Sequence, residues 1–353
     1  MKRAIVSLLA CLPLLLAACG DDESTDTGAG TGTEAGASVT KGSGIVVIES
    51  AREFQATYQA LTSALEENPD ITLVAEVDHA ENAASADLGL DPTRVVIFGN
   101  PKLGTPLMQA SRTAGIDLPQ KILVWRDGDQ TLLAYNDPAY LASRHGIDGE
   151  DETLSTISGA LAKVTAAAGG GEGQQTSTGD SGEEATGASG DGTQTDGFEQ
   201  PAVMPQAPSE VGEGAGLTTI DSSQNFDETL SSLTSALEAN PDVSIVSQVD
   251  HADNASAAGL ELPATQVVIF GNPKLGTPLM AASPTAGLDL PQSILVWEDG
   301  DQVKVTYEDP AFLATRHGIE GEDETLDTIS GALEMFATEA AGQGGSETGT
   351  STQ

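Results

Sequence analysis

Apolar and polar positions follow a regular plan along this chain, and the plan is written twice. GIVVIES, from Gly44 to Ser50, is an apolar run that predicts a strand; Phe54, Tyr58, Leu61 and Leu65 then recur at helical spacing until Pro69 ends the pattern. ITLVAEV alternates and predicts a second strand, which leads into Asp78-His79 and an alanine-rich helical stretch. Val95 to Phe98 is apolar without a break, as suits a strand buried on both sides or in the middle of a sheet. ILVWRDGDQTLLAY predicts a hairpin turning at Asp127-Gly128. DPAYLASRHG predicts a helix capped by Asp137, opened by Pro138 and closed by Gly146, and Leu154, Ile157 and Leu161 mark one face of a closing helix.

The second writing lies 172 positions on, so that Val95 answers to Val267, and the two blocks align without a gap at roughly two-thirds identity. VVIFGNPKLGTPLM, Val95 to Met108, returns unchanged as Val267 to Met280. Within it Gly99 ends the strand and Pro101 keeps Asn100 out of helix, while Thr105-Pro106 reads as an N-cap followed by the first helical residue. The chain is a tandem duplication of an α+β domain, copy 1 over residues 44–164 and copy 2 over 216–337. Residues 19–43, 165–215 and 338–353 are rich in Gly, Ser, Thr, Asp and Glu and too poor in apolar area to offset backbone entropy; they are expected to be an acidic tether, a flexible acidic linker and a disordered tail.

Charge narrows the partners. With 14 Lys and Arg against 54 Asp and Glu the formal net charge is -40, which repels nucleic acid. Residues 1–18 read as an export signal: Lys2 and Arg3, then an apolar run from Ala4 to Leu16 too short to span as an ordinary transmembrane helix. Leu16-Ala17-Ala18-Cys19 resembles the lipobox of bacterial lipoproteins, which implies cleavage before Cys19 and lipid on its sulfur. Gly20 in place of Asp after the cysteine favours, by analogy with Gram-negative sorting, the outer over the inner membrane for the anchored protein, which is expected to face the periplasm with the bilayer as its lipid partner. Loss of Cys11 with the signal and modification of Cys19 leave the mature domains without a thiol.

Phe98-Gly99-Asn100-Pro101, Gly104-Thr105, Leu107-Met108, the Asp-Pro helix and Arg144-His145 together resemble domain-of-unknown-function family 302, and both blocks match along nearly their whole length. The resemblance implies two copies of a two-layer α/β sandwich, a domain often met singly and able to dimerise, and it implies no activity. The tandem copies are therefore expected to pair within the chain or to form a homo-oligomer, since a tether raises their effective concentration.

The candidate chemistry is sparse. Four histidines, His79, His145, His251 and His317, fall two per block at matching places. Asp78 and His79 are neighbours on a strand end and cannot form a dyad; the plain reading has His79 capping a strand and His145 meeting carbonyls at a helix end. Lys102 and Arg144 persist as Lys274 and Arg316, whereas Arg52, Arg94, Lys121, Arg126 and Lys163 become Gln224, Gln266, Ser293, Glu298 and Met335. This suggests an anion pocket built from a helix N-terminus at Thr105 with Asn100, Lys102 and Arg144-His145, repeated as Thr277, Asn272, Lys274 and Arg316-His317. A non-enzymatic ligand-binding or interaction module without a cofactor is the leading expectation. The alternatives are an enzyme using His79 or His145 as general base, and a copper binder in which Met108 and Met280 join the histidines.

Overall fold

The computed structural model describes residues 37–40, 43–171 and 211–344. The signal, Cys19, the rest of the tether, residues 172–210 of the linker and the tail from 345 lie outside the described residues. In copy 1 the elements run β1 (Ala37–Thr40), β2 (Ile45–Ser50), α1 (Phe54–Glu66), β3 (Thr72–Asp78), α2 (His79–Ser85), β4 (Thr93–Gly99), α3 (Pro101–Ala110), β5 (Gln120–Asp127), β6 (Gln130–Asn136), α4 (Pro138–His145) and α5 (Asp151–Gly169). Copy 2 repeats them as β7 (Leu217–Asp221), α6 (Phe226–Ala239), β8 (Ser244–Asp250), α7 (His251–Ala257), β9 (Thr265–Gly271), α8 (Pro273–Ala282), β10 (Gln292–Asp299), β11 (Gln302–Glu308), α9 (Pro310–His317) and α10 (Asp323–Ala340). A 3-10 turn follows α3 at Arg112–Ile116 and α8 at Pro284–Leu288.

Each copy is α+β with an antiparallel sheet, in the order β1-β2-β6-β5-β4-β3 and β7-β11-β10-β9-β8. Three boundaries move, one of them at the end of copy 2, where α10 runs past residue 337 to Ala340. β1 adds a strand from residues read as tether, pairing Ala37 with Ile48 and Thr40 with Ile45, and α5 continues past Val164 to Gly169. The hairpin turns as expected: Asp127 pairs with Gln130, and Gly128 between them takes a φ of 58°, open to glycine at little cost.

The helix of the repeated stretch starts earlier than Thr105-Pro106. Asn100 is the N-cap, its side chain accepting from the Lys102 N–H at 3.0 Å, and Pro101 takes the first helical position. Thr105 is buried inside α3 with Pro106 after it. Asn-Pro and Thr-Pro are both good helix openers; the first one reached wins, and Pro106 forfeits a single intrahelical N–H.

Each sheet is covered on both faces, which explains the unbroken apolar run. Val96 and Phe98 of β4 join Tyr58, Leu61, Leu107, Ile157 and Leu161 in a core between sheet and helices. Val95 and Ile97 point the other way, into clusters shared with copy 2. Val268 and Phe270 of β9 face their own helices while Val267 and Ile269 face copy 1. The 3-10 turns cross over: Leu288 of copy 2 is fully buried against Ile45, Val95, Leu123 and Trp125, and Ile116 of copy 1 packs with Val267, Leu295 and Trp297.

Such interlocking makes the two copies one cooperative body. Leu288→Ala is expected to cost about 2–4 kcal/mol and to shift a single urea transition that covers both copies. Two transitions, with copy 1 unmoved, would contradict this reading.

Candidate functional site

Arg144 and His145 close α4, and the Gly146 that follows it turns left-handed at φ 61°. The guanidinium of Arg144 is wholly buried. Its Nη1 donates to both oxygens of Asp117 at 3.1 and 3.0 Å, its Nη2 to Glu308 Oε1 of copy 2 at 2.6 Å, and its Nε to the carbonyl of Ala215 at 3.0 Å. Arg316 mirrors this: Nη1 to Asp289, Nη2 to Asn136 Oδ1 of copy 1 at 2.6 Å, Nε to the Ser43 carbonyl at 2.9 Å. Each guanidinium also lies over a ring of the opposite copy, Arg144 over Phe312 at 5.0 Å and Arg316 over Tyr140 at 4.2 Å. Gly44 and Gly216 follow the two accepting carbonyls with φ of 64° and 67°; a Cβ on either would overlap Tyr140 or Phe312 at 2.2 or 2.1 Å.

The histidines complete the frame. His145 Nε2 donates to Asp117 Oδ2 at 2.6 Å, with Thr113 Oγ1 3.0 Å from Nδ1; His317 repeats this on Asp289 at 2.7 Å and Thr285 at 3.0 Å. Burial works against the Asp117 carboxylate, but Arg144 and then His145 outweigh it and hold its pKa well below the usual range; Arg316 and His317 do the same for Asp289, with Lys121 adding to the effect. His79 Nε2 reaches across to donate to the Gly287 carbonyl at 3.2 Å, and His251 Nε2 to that of Gly115 at 3.0 Å. Each 3-10 turn is thus held from both copies. A Cβ at Gly287 would sit 2.9 Å from Leu123 Cδ1, so a side chain there would have to push the end of Leu123 aside, whereas His79 at 3.5 Å would be in ordinary contact.

The expected anion pocket is not assembled. Lys102 is exposed and paired with Asp70 at 2.8 Å, and Lys274 with Asp242 at 2.7 Å; neither shares a partner with the buried Arg144-His145 or Arg316-His317. Asn100 and Asn272 are helix caps, and Thr105 and Thr277 are interior to α3 and α8. His79 opens α2 instead of capping a strand, and Asp78 beside it caps that helix and binds Arg94. His145 meets a carboxylate, not helix-end carbonyls. Met108 and Met280 belong to the two helix-side cores, and no group of three or more His, Cys, Asp or Glu suited to a metal occurs among the described residues. Asp117, Asp289, Asn136, Glu308 and Lys121 were not foreseen. The only sequence signal was the Asp kept in GIDLP and GLDLP, and a lone Asp before Leu-Pro fits no motif.

A second feature is open to solvent. A groove of about 2190 Å³ runs over copy 1 from α5 to α7, floored by Phe98, Met108, Leu118, Ile157, Leu161 and Val164 and edged by Asn100, Gln120 and Lys163. The Gln120 side-chain amide nitrogen is buried without a partner. In copy 2 Phe336 replaces Val164 and meets Phe270 edge-on at 5.8 Å, so a ring fills the corresponding place.

Comparison with known proteins agrees with the duplicated geometry. The family described as Domain of unknown function DUF302 matches residues 46–164 and again 218–336. The chain belongs to this family. It is also 40% identical over 129 residues to proteins named fluoride-specific ion channel FluC 1 from Brucella suis biovar 1 and FluC 2 from Brucella melitensis biotype 1, covering 35% of this chain and 50% and 47% of theirs. The chain therefore spans about half the length of the curated relatives it matches. No helix among its described residues is long and apolar enough to cross a membrane. A crystal structure of an uncharacterized conserved DUF302 protein from Bacillus stearothermophilus is similar at 17% identity and a TM-score of 0.33, over 36% of this chain and 98% of that one.

Buried neutral histidines in this DUF302 pair give stability a pH dependence. Burial lowers His79 and His251 to about 4, against which the Gly287 and Gly115 carbonyls and the neighbouring Asp78 and Asp250 pull upward. Their contribution is complete above the unfolded value near 6.5 and is lost as pH falls from there toward 4, at up to about 1.4 kcal/mol per pH unit for each. Glu308, pushed up to about 7 by burial, works the other way between 4.5 and 7, one group against two. The melting temperature is expected to fall from pH 7 to pH 5, less steeply in His251→Gln, whose amide can still donate to Gly115. Parallel pH profiles for the two proteins would show that His251 titrates as it does in the unfolded chain.

Proposed function

We propose that this chain is a non-enzymatic binding module of the cell envelope, exported and held by lipid on Cys19 at a membrane facing the periplasm, with the outer membrane favoured by Gly20. Its two DUF302 domains act as one body, and the groove of copy 1 receives a small amphipathic ligand. One observation carries the reading: the groups that would do chemistry are spent on the pairing of the copies. Asp117 and Asp289 are held by arginine and histidine, and His79 and His251 donate from Nε2 to carbonyls, whereas the concave surface left open sets an apolar floor against a broad polar rim that includes Arg52, Asp70, Asn100, Lys163, Gln248 and Asp253. A catalytic base needs a lone pair free to meet substrate; His79 and His251, donating from Nε2, keep theirs on Nδ1, but both residues are buried.

A small anion is the second reading, favoured by the fluoride named in the matched relatives. Lys102 with Arg144-His145 cannot supply its site, so any such site must lie elsewhere.

Titration of the full chain with the amphipathic dye anilinonaphthalene sulfonate, followed by fluorescence and melting temperature, tests the groove. Val164→Phe, which writes the copy 2 residue into copy 1, is expected to weaken dye binding by about tenfold while leaving the fold intact, as a ring occupies ligand space. Equal affinity in that variant would remove the groove as the site, and stabilisation by sodium fluoride but not by sodium chloride would favour the anion instead.

Anchoring is tested separately. Cys19→Ala is expected to move the chain from the membrane fraction to the soluble fraction and to abolish fatty-acid labelling. Membrane retention of that variant would sink the lipid anchor.

A further inference from the structure

The frame between the copies repeats almost every residue: Asp117 with Asp289, Arg144 with Arg316, His145 with His317, His79 with His251, Gly115 with Gly287. Besides Tyr140, which answers to Phe312, and Ile116, which answers to Leu288, it differs in charge at two positions that reach its centre. Lys121 of copy 1 answers to Ser293 of copy 2, and Asn136 of copy 1 answers to Glu308 of copy 2. Lys121, Ser293 and Glu308 line one enclosed cavity with Ile116, Asp117, Arg144 and Asp289, of about 10 Å³, close to the least that holds a water molecule. Lys121 is 6% exposed, and the Ser293 hydroxyl is buried with no partner.

The two differences are complementary. Setting aside His145 and His317, which every pairing of the domains shares, the observed pairing counts by formal charge three basic side chains, Lys121, Arg144 and Arg316, against three acidic ones, Asp117, Asp289 and Glu308. Two copies of the first domain would bring two Lys121, two Arg144 and two Asp117 to the same centre, an excess of two positive charges. Two copies of the second would bring two Glu308, two Asp289 and two Arg316, an excess of two negative charges. Among side chains as buried as Lys121, Arg144 and Arg316 such an excess is poorly offset by solvent, and breaking a buried pair from one side is strongly destabilising.

We infer that Lys121 and Glu308, set against Ser293 and Asn136, are specificity residues that make each domain take the unlike copy as its partner and reject its own kind. The partner that the buried face of copy 1 fits is copy 2. A chain carrying two self-complementary domains would be open to crosslinking by like-with-like pairing between molecules; the charge exchange closes that route, which repulsion against the wrong partner achieves better than added attraction to the right one.

The test stays within the full chain and uses exchange, because simple removal could act through packing alone. Lys121→Ser with Asn136→Glu makes the centre of copy 1 like that of copy 2, and Ser293→Lys with Glu308→Asn does the reverse. Each double variant is expected to melt about 5–10 °C below the unaltered chain. All four substitutions together restore three cations against three anions with the polarity reversed, and are expected to bring the melting temperature back to within about 2 °C. If a double variant fails to fold, soluble four-substitution protein with a native-like circular dichroism spectrum supports the inference. A four-substitution variant as unstable as the sum of the two double variants, or insoluble like them, overturns it.

Discussion

The molecule depends on one buried arrangement used twice: an arginine at the end of a short helix, bound to an aspartate that also accepts from the next residue's imidazole. Arg144 and Arg316 each have three donor directions, and each spends one within its own copy, one on the other copy and one on the residue just before the other copy begins. An always-charged, planar donor can be sunk in an interface only when every direction finds an acceptor, and here carboxylate, amide oxygen and backbone carbonyl are all provided. Lysine could not replace it, since a point charge cannot hold carboxylate and carbonyl on different sides of one plane.

From that constraint the positions of the backbone follow. The carbonyls of Ser43 and Ala215 must face the guanidinium, so the chain turns at Gly44 and Gly216 against an aromatic ring, and the first strand of each sheet leaves in a set direction. Asp117 and Asp289 must sit just after the 3-10 turns, which therefore lie on the opposite sheet, where Ile116 and Leu288 become core residues. A sheet covered by its own helices on one side and by the other copy's turn on the other needs apolar residues at successive positions. That is why Val95 to Phe98 and Val267 to Phe270 show no alternation.

Most of the fold was written in local patterns and so could be read from sequence. The helical spacing of Phe54, Tyr58, Leu61 and Leu65, the Asp-Gly turn and the Asp137 and Gly146 caps each act within a few residues, and the elements lie where those signals fall. The double-sided burial of Val95 to Phe98 was visible too, though not what covers its second face. The site was the opposite case. His251 meets a carbonyl 136 residues away and Arg316 an amide 180 residues away, contacts with no local signature. Lys102 misleads because a cation that persists in both copies has the look of a ligand contact. It pairs with Asp70, as Lys274 pairs with Asp242, and the duplication preserved both ends of the pair.

Difference between the copies is more informative than sameness. Arg52 donates to the carbonyls of Ala167 and Ala168 at the end of α5, and Gln224, its counterpart, donates to that of Ala340 at the end of α10, so that exchange keeps the mechanical role with a different side chain. Arg94 and Gln266 each bridge back to the neighbouring strand in the same way, to Asp78 and Gln248. Val164 and Phe336 are another kind of change: a ring fills a place in copy 2 that in copy 1 opens onto the groove. A duplicated domain that pairs with itself can change its paired face only in matched exchanges, such as Lys121 for Ser293 with Asn136 for Glu308, because each half is the other's core. The helical face carries no such double duty, and that freedom lets Val164 border the groove in copy 1 while Phe336 packs on Phe270 in copy 2.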